Sequence, residues 1–227
     1  MFRHTALCLL LVMFAALSAG CAAEPFQRPA LPILKDPNPR SIQTEFARRL
    51  ADRFVSDDTV IMRAPFRDDL AVLGVLSADR TAGTFELLGM NHLGVKFFHL
   101  AGERQETTIR FAVPPLMEQK EVLRSMAEDT RRMYLGLTPG DGATAEIHPT
   151  FVRFYENTPE GKLVYEFGGQ PTVLLEKRLD GAFGPIWRVR YYEYATATTW
   201  LYPRGIVMEN NRFNYRIIVK NREWLTK

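Results

Sequence analysis

The chain has 227 residues, 46% of them apolar, with 29 Lys and Arg against 26 Asp and Glu for a net charge of +3. That balance, with no long block of like charge, sets aside the basic stripe of a nucleic-acid-binding protein. The two cysteines, Cys8 and Cys21, both fall near the start, so no disulfide framework braces the rest and an apolar core must hold the fold.

Arg3 and His4 precede an apolar run over residues 5–16, and small residues then lead to Cys21. These are the three parts of a secretory signal peptide. A membrane-spanning helix needs about 20 apolar residues, more than this run offers. Leu17-Ser18-Ala19-Gly20-Cys21 resembles a bacterial lipobox, with Ser18 where an aliphatic residue is commoner. The resemblance implies cleavage before Cys21 and acylation of its thiol. A signal at 1–20, an anchored tether at 21–40 and a single domain at 41–227 are then expected. An ordinary cleaved signal with an incidental cysteine is the competing reading. Pro25, Pro29, Pro32, Pro37 and Pro39 favour an extended spacer in the tether. Phe26, Leu31, Ile33 and Leu34 give part of it the means to pack on the domain.

Ser41 reads as an N-cap, and Ile42, Phe46, Leu50 and Phe54 recur every four residues, predicting a helix that Asp57-Asp58 ends. From Thr59 the period becomes two, through Val60, Met62, Ala64 and Phe66, and residues 70–76 are apolar on both faces. Residues 85–88 and 95–100 flank a six-residue connection and predict a hairpin. Ile109, Phe111 and Val113 add a strand, which Pro114-Pro115 stops. Leu116, Leu123, Met126, Thr130, Met133 and Leu137 then mark one long or broken helix to about Leu135. After a Gly- and Pro-containing loop, alternating runs return at 151–155, 163–167, 173–175, 187–191, 206–208 and 213–219. Together these predict an α+β fold, mainly antiparallel β. Its strongly curved sheet, an incomplete barrel of about nine to eleven strands, has helices covering its opening.

The stretch 84–100 carries a strand ending in Leu87-Leu88, the loop Asn91-His92-Leu93-Gly94, and a returning strand through Phe97-Phe98. It resembles the LolA/LolB superfamily of outer-membrane lipoprotein carriers and receptors, nearest to uncharacterised LolB-like bacterial lipoproteins. The resemblance implies a half-barrel of eleven strands, helices forming a lid, and an apolar cavity for acyl chains. It also implies attachment to the outer membrane, since Ala22 rather than Asp follows Cys21. Leu93 is then the membrane-facing loop residue, although His92 stands where proline is usual. Inward packing of Leu93 at the hairpin end is the other reading.

Candidate cavity-lining residues are Leu73, Val75, Leu87, Phe97, Phe111, Met126 and Met133, the methionines supplying adaptability. No catalytic constellation stands beside them. His92, His99 and His148 lack metal spacing, Asp57-Asp58 and Asp68-Asp69 read as caps or turns, and no Gly-x-Ser-x-Gly elbow occurs. Tyr191, Tyr192 and Tyr194 read as a strand with tyrosine on both faces. Arg131 and Arg132 read as solvated helix positions. The expectation is therefore a monomeric, non-enzymatic lipoprotein with no cofactor and no metal, binding acyl chains or lipoprotein cargo and served by a periplasmic carrier. A scaffold lipoprotein with a filled core is the alternative.

Overall fold

The computed structural model describes residues 25–65 and 68–226; Cys8, Cys21, the signal-like run and Phe66 lie outside the described residues. In chain order, helix α1 (Pro39–Arg48) is followed by strands β1 (Arg53–Arg63), β2 (Leu70–Asp79), β3 (Thr84–Met90), β4 (Lys96–Glu103) and β5 (Glu106–Ala112). Helices α2 (Pro114–Met117) and α3 (Lys120–Tyr134) come next. Then follow β6 (Thr144–Ile147), β7 (Phe151–Thr158), β8 (Gly161–Gly168), β9 (Val173–Gly181), β10 (Gly184–Ala197), β11 (Trp200–Asn210) and β12 (Tyr215–Thr226).

All twelve strands form one sheet in the order β5-β4-β3-β2-β1-β12-β11-β10-β9-β8-β7-β6. Every pairing is antiparallel, and β1 meets β12 at the centre, so two meanders are joined where the first and last strands pair. Strands β5 and β6 are the free edges, and the sheet does not close. The segment between them must therefore cross from one edge to the other. It crosses as α2 and α3. One 15-residue helix then touches Thr107 on β5 through Arg131 and Lys177 on β9 through its last carbonyls. Those strands lie eight places apart in the sheet, about 38 Å if it were flat. A single helix reaches both because the sheet is curled around it.

The strand count exceeds the expected nine to eleven because β6 is short and wholly exposed, and Thr144-Ala145-Glu146-Ile147 lacks an alternating apolar pattern. A second correction concerns the first helix. It starts at Pro39 behind Asn38, whose side chain accepts from the Ser41 amide, and it ends at Arg48. Phe54 belongs to β1, stacked on Trp224 at 4.1 Å. Its four-residue spacing from Leu50 is a coincidence of the turn. The inward row Phe54, Ser56, Asp58 is mostly polar, so apolar counting missed the period of two. Asp57-Asp58 does not end a helix; both residues lie inside β1.

The core lies on the inner face. Phe46 from α1 and Leu123, Ala127 and Met133 from α3 pack on Phe54, Leu76, Phe98, Leu100, Phe167, Val189, Ile206 and Met208. Phe85 on β3 lies flat across its cross-strand partner Gly102, where a Cβ would come within 2.0 Å of the ring. The Pro-rich segment after residue 25 runs along the domain. Phe26 stacks on Tyr192 at 5.5 Å over Gly205, the Gln27 amide donates to Glu193, and the Leu34 amide donates to the Pro149 carbonyl. Leu31 and Ile33 stay exposed. Part of the expected spacer is thus a strap over the outer face.

Candidate functional site

Helix α3 presents a mixed face to the sheet. Leu123, Ala127 and Met133 are apolar, yet Asp129, Thr130 and Tyr134 are equally buried. Burying such groups is costly unless each finds a partner. Each does. The Asp129 carboxylate accepts from Tyr215, from Arg132 at 2.6 Å and from Asn210 at 3.4 Å. The Ser125 and Tyr215 hydroxyls share a hydrogen bond of 2.9 Å. The Thr130 hydroxyl donates back to the Met126 carbonyl at 2.8 Å. The Tyr134 hydroxyl donates to Asp58 at 3.1 Å, and Ser56 and Asn221 donate to the same carboxylate at 2.8 and 3.0 Å.

The C-terminal turn of α3 is held by side chains of the sheet. Its last carbonyls lack intrahelical partners, and cations are favoured there by the helix dipole. Arg80 donates to the Tyr134 carbonyl at 3.1 Å and to the Ala51 carbonyl, with its guanidinium 4.5 Å over the Phe54 ring. Tyr191 donates to the Met133 carbonyl at 3.1 Å. Lys177 donates to the Leu135 carbonyl at 3.0 Å and lies over Tyr165 and Trp187 at 5.8 and 5.9 Å.

Burial sets the electrostatics of this interface. It pushes Asp58 up to about 6 against the pull of its three hydrogen-bond donors, and it raises Asp129 in the same way. Desolvation lowers Lys177 to about 7 and Arg80 to about 10. The helix is thus fastened through groups that water would solvate better.

Two surface grooves lie elsewhere. One of about 420 Å³ is lined by Arg53, Asp79, Glu86, Glu103, Glu106 and Arg110 with small neighbours. Another, of about 480 Å³, adjoins it around Asp52, Thr81 and Trp200. The first is a mainly polar surface depression on the β1–β5 half, and the second is mixed and reaches Trp200 on β11 and Thr226 on β12.

No family model and no curated protein matches the sequence. Solved structures do. A LolA superfamily protein from Nitrosomonas europaea superposes with a TM-score of 0.53 at 8% identity, over 84% of this chain and 94% of that one. The chain has the LolA-type fold. A putative outer membrane lipoprotein-sorting protein domain from Vibrio parahaemolyticus aligns at TM-score 0.47 and 11% identity, covering 81% of this chain and 90% of its own. A DUF1329 family protein from Desulfovibrio piger gives 0.49 and 7%, covering 82% and 91%.

On this LolA-type sheet the residues proposed from sequence divide. Leu87 faces inward between Leu76 and Leu100, and Phe97 packs on the core at a bulge between β3 and β4. Met133 is buried under α3, and Met126 is half-buried beside it. Leu73 and Val75 alternate with the inward Gly74 and Leu76, and so belong to the outer face. Phe111 pairs with His99 on that outer face and is exposed. Leu93 stands clear of the β3–β4 turn at 75% exposure, its amide donating to the Asn91 side chain. Strand β2 is apolar on both faces, so the sequence pattern could not choose between them.

Asp58, Arg80, Asp129 and Lys177 were not singled out as site residues. Asp58 and Lys177 are charged residues at inward strand positions and Asp129 is one on the apolar stripe of a helix, whereas Arg80 sits in the turn after β2 and carries no such signal. Arg131 and Arg132 are not solvated as expected; Arg131 lies over Phe85 at 5.3 Å and Arg132 pairs with Asp129. Tyr191 and Tyr192 do take opposite faces, inward to α3 and outward to Phe26. His99 lies beside Glu86 at 3.5 Å, and His148 stacks on Phe151. Among the described residues no cluster of His, Cys, Asp and Glu could hold a metal, and no helix is long and apolar enough to cross a membrane.

Proposed function

We propose that this protein is a non-catalytic lipoprotein of the bacterial envelope, anchored to the outer membrane through Cys21. It takes an acyl chain, of a lipid or of lipoprotein cargo, between α3 and the curled sheet. The observation that carries this reading is the way α3 covers an open sheet. Its buried face is apolar enough to be replaced by an acyl chain, and its polar fastenings regain hydration when the helix swings out. Burial of a C16 chain contributes on the order of 10 kcal/mol at about 0.8 kcal/mol per methylene, offset by the work of displacing the helix. Leu87, Phe97, Met126 and Met133 would line the opened space, and the methionines adapt to irregular ligands. The LolA-type fold supports the same reading, and Leu93, prominent at a hairpin tip, suits a contact with the membrane that receives the cargo.

A second reading has its own support. The core beneath α3 is filled, with Leu123 and Ala127 fully buried, as a scaffold lipoprotein acting through its surface would require. Native mass spectrometry of the protein with a fatty-acyl probe separates the two. Retention of one acyl chain per protein is expected for a carrier; a protein that stays empty at saturating probe is the scaffold.

A further inference from the structure

The strand register gathers five connections at one end of the sheet, the β7–β8 turn among them, since Thr158 pairs with Gly161 and Lys162 with Asp180. Met62 pairs with Leu70, Arg63 with Arg216, and Leu73 with Met90, so the β1–β2 and β3–β4 connections share that end. Asn210 pairs with Tyr215 and Trp187 with Asn210, which brings the β11–β12 and β9–β10 turns there too. Two of these turns carry a phenylalanine at the tip. Phe183, between β9 and β10, is fully exposed, and Phe213, between β11 and β12, is 61% exposed. From β3 to β9 the rim spans six strand spacings, about 29 Å along the sheet.

We infer that Phe183 and Phe213 form a lipid-docking rim, in which separate hairpin tips on the β9–β12 half of the sheet enter the membrane beside the β3–β4 tip. Isolated apolar side chains on tight turns suit a fluid surface that closes around each one, whereas a protein partner selects a contiguous apolar patch. The charge of the tips agrees. Residues 91–96, 182–184 and 211–214 contain Lys96 and Arg212 and no carboxylate, the sign that anionic headgroups attract. The nearest acid before the Phe183 turn, Asp180, is paired with Arg178. The β1–β2 and β7–β8 connections differ, the first carrying Asp68 and Asp69, the latter of these paired with Arg63, and the second carrying the exposed Glu160. Contact at several points along the rim would fix the tilt of the domain, with the mouth of the curled sheet at a constant angle to the bilayer. This deepens the envelope reading above and rests on it for the source of the lipid surface.

Tryptophans placed at the tips test it. The full chain, carrying Phe183→Trp, Phe213→Trp or Leu225→Trp, is placed on phosphatidylethanolamine–phosphatidylglycerol vesicles with and without brominated acyl chains. Leu225 is the control, an exposed leucine of β12 at the opposite end of the sheet. Trp187, Trp200 and Trp224 give all three the same background. Bromolipid should quench and blue-shift the emission at positions 183 and 213 and leave position 225 unchanged. Adding Phe213→Glu to the Phe183→Trp chain should weaken the quenching at 183. Absence of quenching at both tips, as docking to a protein would give, overturns the proposal, and so does equal quenching at all three positions. Acyl-probe retention by the same variants, read by native mass spectrometry, reports separately on the carrier reading.

Discussion

Helices α1 and α3 both lie on the inner face of the sheet, yet they are fastened by opposite means. Helix α1 is pinned by one aromatic side chain. Phe46 is 1% exposed, edge-on to Phe167 at 5.2 Å and to Tyr194 at 6.3 Å. Its ends are fixed by Asn38 and by the Leu201 amide, which donates to the Arg49 carbonyl. Helix α3 is pinned by Asp58, Arg80, Asp129 and Lys177, all withdrawn from water. Displacing α1 exposes apolar surface and frees the neutral Gln43 side chain from the Pro139 carbonyl, with no buried charge to rehydrate. Displacing α3 exposes apolar surface too, but it rehydrates two carboxylates, a guanidinium and an ammonium, which recovers part of that loss. The comparison marks α1 as the fixed element and α3 as the one that can leave.

The largest expected effect tests the fixed half. Phe46→Ala should destabilise the protein by about 3–5 kcal/mol in urea unfolding, the cost of removing a fully buried phenylalanine. A loss below about 1 kcal/mol would remove the distinction between the two helices.

The second effect is the pH dependence of the polar fastening. Burial raises Asp58 to about 6 from the ordinary 3.8, so across that window the folded chain keeps a proton that the unfolded chain has lost. Stability therefore falls as pH rises from about 4 to 6, and Asp129 acts in the same direction. Lys177 is lowered to about 7 from 10.5, so between those values the unfolded chain holds the extra proton and stability rises with pH. The fastening is weakest near pH 6–7. Asp58→Asn, which keeps a polar group for Ser56 and Tyr134, should remove its own part of the acid-side fall, on the order of 3 kcal/mol. Melting temperatures measured from pH 4 to 10 check both slopes; an unchanged acid-side slope in Asp58→Asn would contradict the assignment.

The smallest effect lies at the rim. Leu93→Glu should change stability by less than about 0.5 kcal/mol, because its side chain is 75% exposed, while lowering transfer of acylated cargo to vesicles. A larger stability loss would mean that Leu93 packs inward in solution.

Much of this fold was legible in the sequence because strands and helices write apolar periods. The hairpin around Asn91-His92-Leu93-Gly94, the helix to about Leu135 and the six later strand runs all appear in the structure. Legibility failed where inward positions are polar. Ser56 and Asp58 disguised β1, and β6 has no apolar face to disclose it. The candidate site was harder to read for the same reason. Its fastening residues come from β1, the turn after β2, β9 and α3, up to 119 positions apart between Asp58 and Lys177, and sheet order brings them under one helix. Apolar patterning found Met126, Met133 and Leu87. It had no means of separating the inner Leu76 from the outer Val75 on a strand apolar on both faces.

The central claim, that α3 is the movable cover of an acyl-binding space, is tested most directly by amide hydrogen exchange of α3 against α1, with and without a palmitoyl probe. Without the probe, the amides of α3 should exchange faster than those of α1, because its opening costs less. With the probe bound, the α3 amides should change while those of α1 stay as they were. Equal protection of the two helices, unaltered by the probe, would contradict the account.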